Sequence, residues 1–367
     1  MKVSYFETAR YLAPRQLPAE WPVPPAAYDR EAGAEAYRGM TERLQFVETL
    51  GFDWVSVSEH HYSPQRLTPA PIVSAAHLAA YAQNIKIAVL GPIVSQSNPV
   101  QIAEELAMLD NLMPGRLVVG LLRGITGEYL TYGLNPAEAR ERTTEGMELV
   151  LKAWTEPQPF GWQGRHYQFR TVAVWPRPLQ QPHPPTYALG SSRESCEFAA
   201  RHRLGLGLSY APFDVVGKAT RYYCEQCAQY GWQPAPEQII YRANILMAET
   251  DEKAGELLEQ QRGARRGFAP RAMVRDALLQ LDSRNVAGEA RTPNVGGALP
   301  TNFVGGPDTV VEQLKRCRAE VGAGVVDLMF QLPASADLGF LMRFARNIRK
   351  AGTAAHPRYL RRVLPIS

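Results

Sequence analysis

The chain has 367 residues, 45% of them hydrophobic and 21% charged, the balance of an ordinary globular protein with one large domain or two smaller ones. A net charge of +4 is too slight to imply nucleic acid or a membrane surface, and no apolar run approaches the ~20 residues of a membrane helix. Four scattered cysteines (Cys196, Cys224, Cys227, Cys317) form no disulfide framework, and no apolar signal segment follows Lys2, so a reducing, cytoplasmic setting is expected.

Taken in order, residues 2–6 alternate as a first strand. Residues 10–28 hold five prolines and read as a loop laid over something. A helix is predicted over 37–50, with Leu44 and Val47 on its apolar side and Gly51 as its stop. Residues 51–61, GFDWVSVSEHH, form the strand on which the chemistry turns. Val55 and Val57 share one face, Ser56 and Ser58 the other, so His60 points into a barrel interior and His61 out of it. A helix over 71–81, a strand over 85–90, a helix over 99–112 started by Pro99, and an apolar strand over 117–122 follow.

The alternation then recurs. A helix is predicted over 137–154 and an inserted hairpin over 160–175. Strands over 186–189, 204–208, 239–247 and 325–330 are separated by helices over 194–201, 213–229, 252–261 and 309–320. A last helix falls over 338–350. Residues 263–302 break the rhythm, with a weak helix near 272–281. Eight strands alternating with helices predict an α/β fold, a (β/α)8 TIM barrel with insertions after strands 4 and 7, filling 1–367 as a single domain. The rival, an open doubly wound sheet, would want a G-x-G-x-x-G fingerprint, which the sequence lacks.

Glu59-His60-His61 stands at the carboxyl end of a barrel strand, where this fold keeps its chemistry. Adjacent strand histidines point apart, and no H-x-H lies on the first strand, so no metal is expected. His60 reads as a hydrogen-bonding or acid–base group, against the plainer alternative of a satisfied strand-end histidine. Arg123, beside Gly124 at the end of strand four, suits a phosphate, or else a loop carboxylate. Gly190-Ser191-Ser192, with Ser195 one turn on, joins a strand to a helix start. It reads as an anion site or as a plain cap. Strands four and five are neighbours, so both elements can serve one phosphate. Asp110 and Arg116 suit a structural pair at the barrel bottom. Cys224-x-x-Cys227 lies on a helix with no second pair and reads as structural.

SEHH, NPVQIAEELAMLDNLMPGR into GLLRG, the W-x-G-R-H-Y-x-F hairpin, PRPLQQPHPP and GSSRES occur here in the order that the bacterial luciferase-like, flavin-dependent monooxygenases show. The chain resembles that family over about residues 3–208. The resemblance implies reduced FMN at the carboxyl face of the barrel. It also implies reaction with O2 through a flavin C4a-(hydro)peroxide, oxygenation of a small organic substrate, and a separate NAD(P)H-flavin reductase. It places His60 as the catalytic histidine and Arg123, Ser192 and Ser195 as the phosphate cradle, with Gly190 and Ser191 also among the cofactor-binding residues, although the luciferase branch carries glutamate at Ser191. The family's non-proline cis peptide maps to Leu90–Gly91, and Asn98 stands where a polar residue lies near the flavin ring. A homodimer or higher homo-oligomer is expected. The alternatives are a deazaflavin (F420) oxidoreductase on the same barrel and a non-catalytic flavin-binding protein. Phe6, Glu7, Tyr129, Tyr132, Trp175 and Tyr210, at or beyond strand ends, are candidate substrate-pocket walls. Residues 263–302 are read as a lid over the reaction.

Overall fold

The structure, a computed structural model, describes residues 1–18, 22–64, 66–265, 301–330 and 344. Its strands are β1 (Lys2–Phe6), β2 (Trp54–Val57), β3 (Lys86–Ile93), β4 (Leu117–Leu122), β5 (Phe160–Gln163), β6 (Gln168–Val172), β7 (Thr186–Leu189), β8 (Gly205–Ser209), β9 (Ile239–Met247), β10 (Thr301–Gly305) and β11 (Val325–Phe330). Its helices are α1 (Arg30–Thr49), α2 (Pro71–Tyr81), α3 (Pro99–Leu112), α4 (Thr126–Thr131), α5 (Ala139–Thr155), α6 (Arg193–Arg201), α7 (Phe213–Gln229), α8 (Asp251–Arg265) and α9 (Pro307–Val321).

Eight strands pair in parallel in the order β1, β2, β3, β4, β7, β8, β9, β11, and β11 closes back onto β1. This is the expected TIM barrel, and all eight strands are those the alternation predicts. β5 and β6 form the expected antiparallel hairpin, packed against α5 through Glu145, which accepts from the backbone N–H groups of His166 and Tyr167 at 2.9 Å. One strand was not expected. β10 pairs with the upper half of β9, beyond the reach of β8. The last two residues of the proposed lid, Thr301 and Asn302, begin this strand, and its first three end α8. The rest of that segment lies outside the described residues, as do the helix expected over 272–281 and, Phe344 apart, the one over 338–350.

Strand parity sorts the apolar side chains into two layers. Val55, Val57, Val89 and Val119 face outward and join Leu44, Val47, Ala75 and Leu78 of the helices. Trp54, Ala88, Leu90, Val118, Tyr187, Ile240 and Val325 fill the barrel interior. Local signals set the ends. Gly51, at φ +76°, stops α1, and its N–H and that of Phe52 return to the carbonyls of Glu48 and Val47.

The helix C-termini and strand starts close the bottom of the barrel. Asp110 accepts from the Gln180 N–H at 2.8 Å and its side-chain amide at 2.6 Å. Arg116 donates to the carbonyls of Ala82 and Ile85, so the expected Asp110–Arg116 pair is replaced by two separate loop clamps. Glu48 accepts from the N–H groups of Asn84 and Ile85, at 2.6 and 2.9 Å.

Candidate functional site

At the end of β2 the two imidazoles part. His61 Nε2 lies 2.7 Å from Glu59 Oε1, and its ring meets Tyr132 edge-on at 4.8 Å. Glu59, itself buried, accepts from the Ile93 N–H and the Gln96 amide, both at 2.9 Å. The Glu59–His61 pair therefore ties the end of β2 to the end of β3.

His60 enters the barrel mouth and is 18% exposed. Its Nε2 lies 3.0 Å from Arg66 Nη1 and 3.1 Å from Ser58 Oγ. A guanidinium N–H can only donate, so Nε2 is the acceptor and Nδ1 carries the hydrogen. Nδ1 faces Glu128 Oε1 at 3.5 Å. Burial, then the charges of Arg66 and Arg242, hold the imidazole pKa well below its usual value, so the ring is neutral at physiological pH.

Glu128 is buried on α4, and its Oε2 accepts from the Ile125 N–H at 3.2 Å. Burial pushes its pKa up to about 7. Nothing in the sequence reading singles it out, because TGEYLT is too short to show helical periodicity. The one signal is a glutamate at the third helical position, placed to reach back to the N–H before the helix.

Beneath His60 the interior carries a charged pair in register on β9 and β11. Arg242 Nε donates to Asp327 Oδ2 at 2.7 Å, and Ser56 Oγ donates to Asp327 Oδ1 at 2.7 Å. Arg242 Nη2 reaches the Leu90 carbonyl at 3.4 Å, and the guanidinium lies 3.8 Å from the centroid of the Phe6 ring. Neither residue is singled out by a sequence motif. Their signal is a lone charge, at inward parity, in the apolar runs IIYRANILM and VVDLMF. The Leu90–Gly91 peptide above them is cis, where the resemblance puts it. Only glycine fits at 91, since a Cβ would fall 1.5 Å from the Gly120 carbonyl oxygen.

Leu122 and Leu189 are register partners on β4 and β7, so Arg123 and Gly190 follow side by side. Ser192 caps α6, its Oγ accepting from the Ser195 N–H at 3.2 Å and lying 3.1 Å from Ser195 Oγ. A Cβ on Gly190 would sit 2.7 Å from Ser195 Oγ and fill this cradle. Among the described residues no carboxylate pairs with Arg123; its side-chain neighbour is the Tyr129 phenol, which donates to the Gly124 carbonyl at 2.9 Å. Two hydroxyls and a guanidinium without a counter-ion are a donor set that fits a phosphate.

The remaining candidates divide. Phe6, Tyr129, Tyr132 and Tyr210 gather with the residues of the mouth. Glu7 does not, because its carboxylate is held by Arg43 at 2.8 and 2.9 Å and by the N–H groups of Thr8 and Ala9. Asn98 is an exposed cap of α3, accepting from Val100 and Gln101. Trp175 is 84% exposed at the opposite end of the barrel, where Arg177 donates to the carbonyls of Trp154 and Glu156 at the end of α5. An aromatic residue after a strand does not tell which barrel end it will reach. Burial raises the thiol pKa of both Cys224 and Cys227, the latter to about 11, which suits packing rather than redox work.

The sequence profile of the luciferase-like monooxygenases matches residues 21–324. The oxygenase component of a flavin-dependent trigonelline monooxygenase from Acinetobacter baylyi is 25% identical over 233 residues, 62% of this chain and 63% of that protein. The alkanal monooxygenase alpha chain of Photorhabdus luminescens is 28% identical over 199 residues, 54% of this chain and 55% of that one. The chain thus spans under two thirds of the length of these curated relatives. Among solved structures, monooxygenase RslO1 from Streptomyces bottropensis superimposes with a TM-score of 0.72 at 24% identity, covering 95% of this chain and 99% of that one. No described helix is long and apolar enough to cross a membrane.

Proposed function

The chain belongs to the luciferase-like monooxygenase family, an oxidoreductase family, and from that premise we propose that it is the oxygenase component of a two-component, FMN-dependent monooxygenase. The observation that carries this reading is the donor set around Gly190, Ser192 and Ser195 with an Arg123 that has no carboxylate among the described residues, at the same barrel end as His60. Reduced FMN, when bound, supplies the two electrons that let one atom of O2 enter the substrate while the other leaves as water.

The chain's own residues do the rest. Arg123 and the two serines, with the backbone of Ser191, hold the phosphate. Leu90 and Gly91 form the wall beneath the ring. His60 keeps its Nδ1 hydrogen between the reaction space and Glu128, and Arg66 fixes that tautomer from the other side. Glu128, titrating near neutrality, gives or takes the proton that a change at His60 Nδ1 requires. Phe6 and Tyr129 keep water from the interior side. A separate NAD(P)H-flavin reductase delivers the reduced flavin, and the working form is a homodimer or larger in the cytoplasm.

The test is binding and oxygen uptake with reduced FMN, reduced riboflavin and reduced deazaflavin. Wild-type protein should bind reduced FMN and consume oxygen only when reduced flavin is supplied. Arg123→Ala should weaken FMN about tenfold or more and leave riboflavin unchanged. Equal losses for both flavins would remove the phosphate role. Oxidation of reduced deazaflavin by hydride transfer to an organic acceptor, with no oxygen uptake, would replace oxygenation with reduction of that acceptor.

A further inference from the structure

The barrel mouth holds two arginines in opposite electrostatic states. Arg242 is neutralised by Asp327 at 2.7 Å, a carboxylate buried completely. Arg66 has no carboxylate among the described residues. Its Nη1 donates to the Nε2 of a neutral imidazole at 3.0 Å, and its Nη2 points at the Met329 thioether at 3.7 Å. Neither acceptor carries charge, and the thioether is a weak one. A guanidinium has five N–H donors, so three have no partner among the described residues (five less these two). His60 offers no compensating charge, and Glu128 faces the far side of its ring, at Nδ1.

Tyr210 faces the same space. It sits at φ +59°, a left-handed conformation that a bulky residue rarely adopts. Two hydrogen bonds hold it there, its N–H to the Arg242 carbonyl at 2.9 Å and its carbonyl from the Asn302 amide at 2.7 Å. Its phenol makes no hydrogen bond among the described residues and lies in the field of both arginines. An unneutralised guanidinium with an unpartnered phenol in its field is a recognition pair for one negative charge. The planar fork of arginine matches a carboxylate, which can also accept from a phenol.

We propose that Arg66 and Tyr210 form the recognition point for an organic substrate carrying a carboxylate, which docks at the barrel mouth with its charge on Arg66. This names the substrate class for the monooxygenase reading above and rests on it. The phosphate cradle is a separate anion site on β4 and β7, so the two anions do not compete.

Binding of benzoate and decanoate would be compared by ligand-observed NMR with binding of benzamide and decanamide, their neutral twins. Reduced-FMN affinity would be measured on the same samples. Each acid should bind about tenfold more tightly than its amide to wild-type protein. Arg66→Gln should erase that preference, Arg66→Lys should retain part of it, and FMN affinity should stay within about twofold throughout. Equal binding of acid and amide, no binding of either acid, or an unchanged preference in Arg66→Gln would overturn the proposal. So would a loss of FMN affinity in Arg66→Gln that matches the loss of acid, because Arg66 would then serve the cofactor. Failure of FMN binding in the wild type would instead remove the monooxygenase reading and leave the acid preference readable.

Discussion

The two ends of the barrel use similar residues to opposite effect. At the bottom, Asp110, Arg116, Glu48 and Arg177 each clamp backbone groups of a neighbouring loop or helix end, and every bond pairs an N–H donor with an oxygen acceptor. At the mouth, an arginine is spent on a neutral imidazole, a glutamate is buried until it titrates near neutrality, and a tyrosine occupies a left-handed conformation. The bottom is built to hold the strands in place. The mouth keeps polar groups in strained or poorly matched states, and such sites are held at a cost in stability.

That contrast can be broken or sharpened by substitution. The largest effect is expected from His60→Ala. Oxygen-dependent turnover should fall by about 10²–10⁴-fold while the unfolding midpoint stays near wild type. A matching loss of stability would make His60 a structural residue. Glu128→Gln comes next and should stabilise the protein. Its carboxyl pKa is raised by burial from 4.5 to about 7, so the folded state resists ionisation. Wild type pays nothing below pH 4.5, pays progressively more from there to about 7, and pays in full above it. The stability gained by Glu128→Gln should follow that window and level off at about 3 kcal/mol above neutrality. Thermal unfolding from pH 4 to 8 checks this, and a gain that ignores pH would refute it.

Asp110→Ala tests the bottom of the barrel. It strands the Gln180 N–H and should cost about 1–3 kcal/mol with turnover per folded molecule unchanged. Denaturant unfolding and activity on the same preparation separate the two readings; a drop in turnover would mean that the barrel ends are coupled. The smallest effect is expected from Asn98→Ala, about 1 kcal/mol for a lost helix cap. If flavin affinity fell as well, Asn98 would belong to the ring site that the resemblance assigned to it, rather than to α3 alone.

The same asymmetry explains what the sequence disclosed. The eight barrel strands were legible because buried parallel strands read as short apolar runs between helices. The parity of Ser56, Ser58 and His60 was legible because a strand alternates. The Ser192 cap and its contact with Ser195 were legible because the two serines lie within one helical turn. Arg242, Asp327 and Glu128 were not singled out, because their meaning lies in partners far along the chain; Ser56 and Asp327 are 271 residues apart. Arg66 was missed although His60 is close in sequence, because it lies in a loop, where no periodicity tells which way a side chain points. Glu7 shows the converse. Its position after β1 suits a pocket wall, yet an arginine on α1 claims the carboxylate. Trp175 shows that a strand-end pattern does not distinguish the mouth from the bottom.

Gly91 and Gly120 meet across β3 and β4, with no room for a carbon atom between residue 91 and the facing carbonyl. Position 91 is closed to every other amino acid by backbone alone, so no neighbouring mutation can open it. Loops and side chains such as Arg66 can therefore change around a backbone contact that itself has no room to vary.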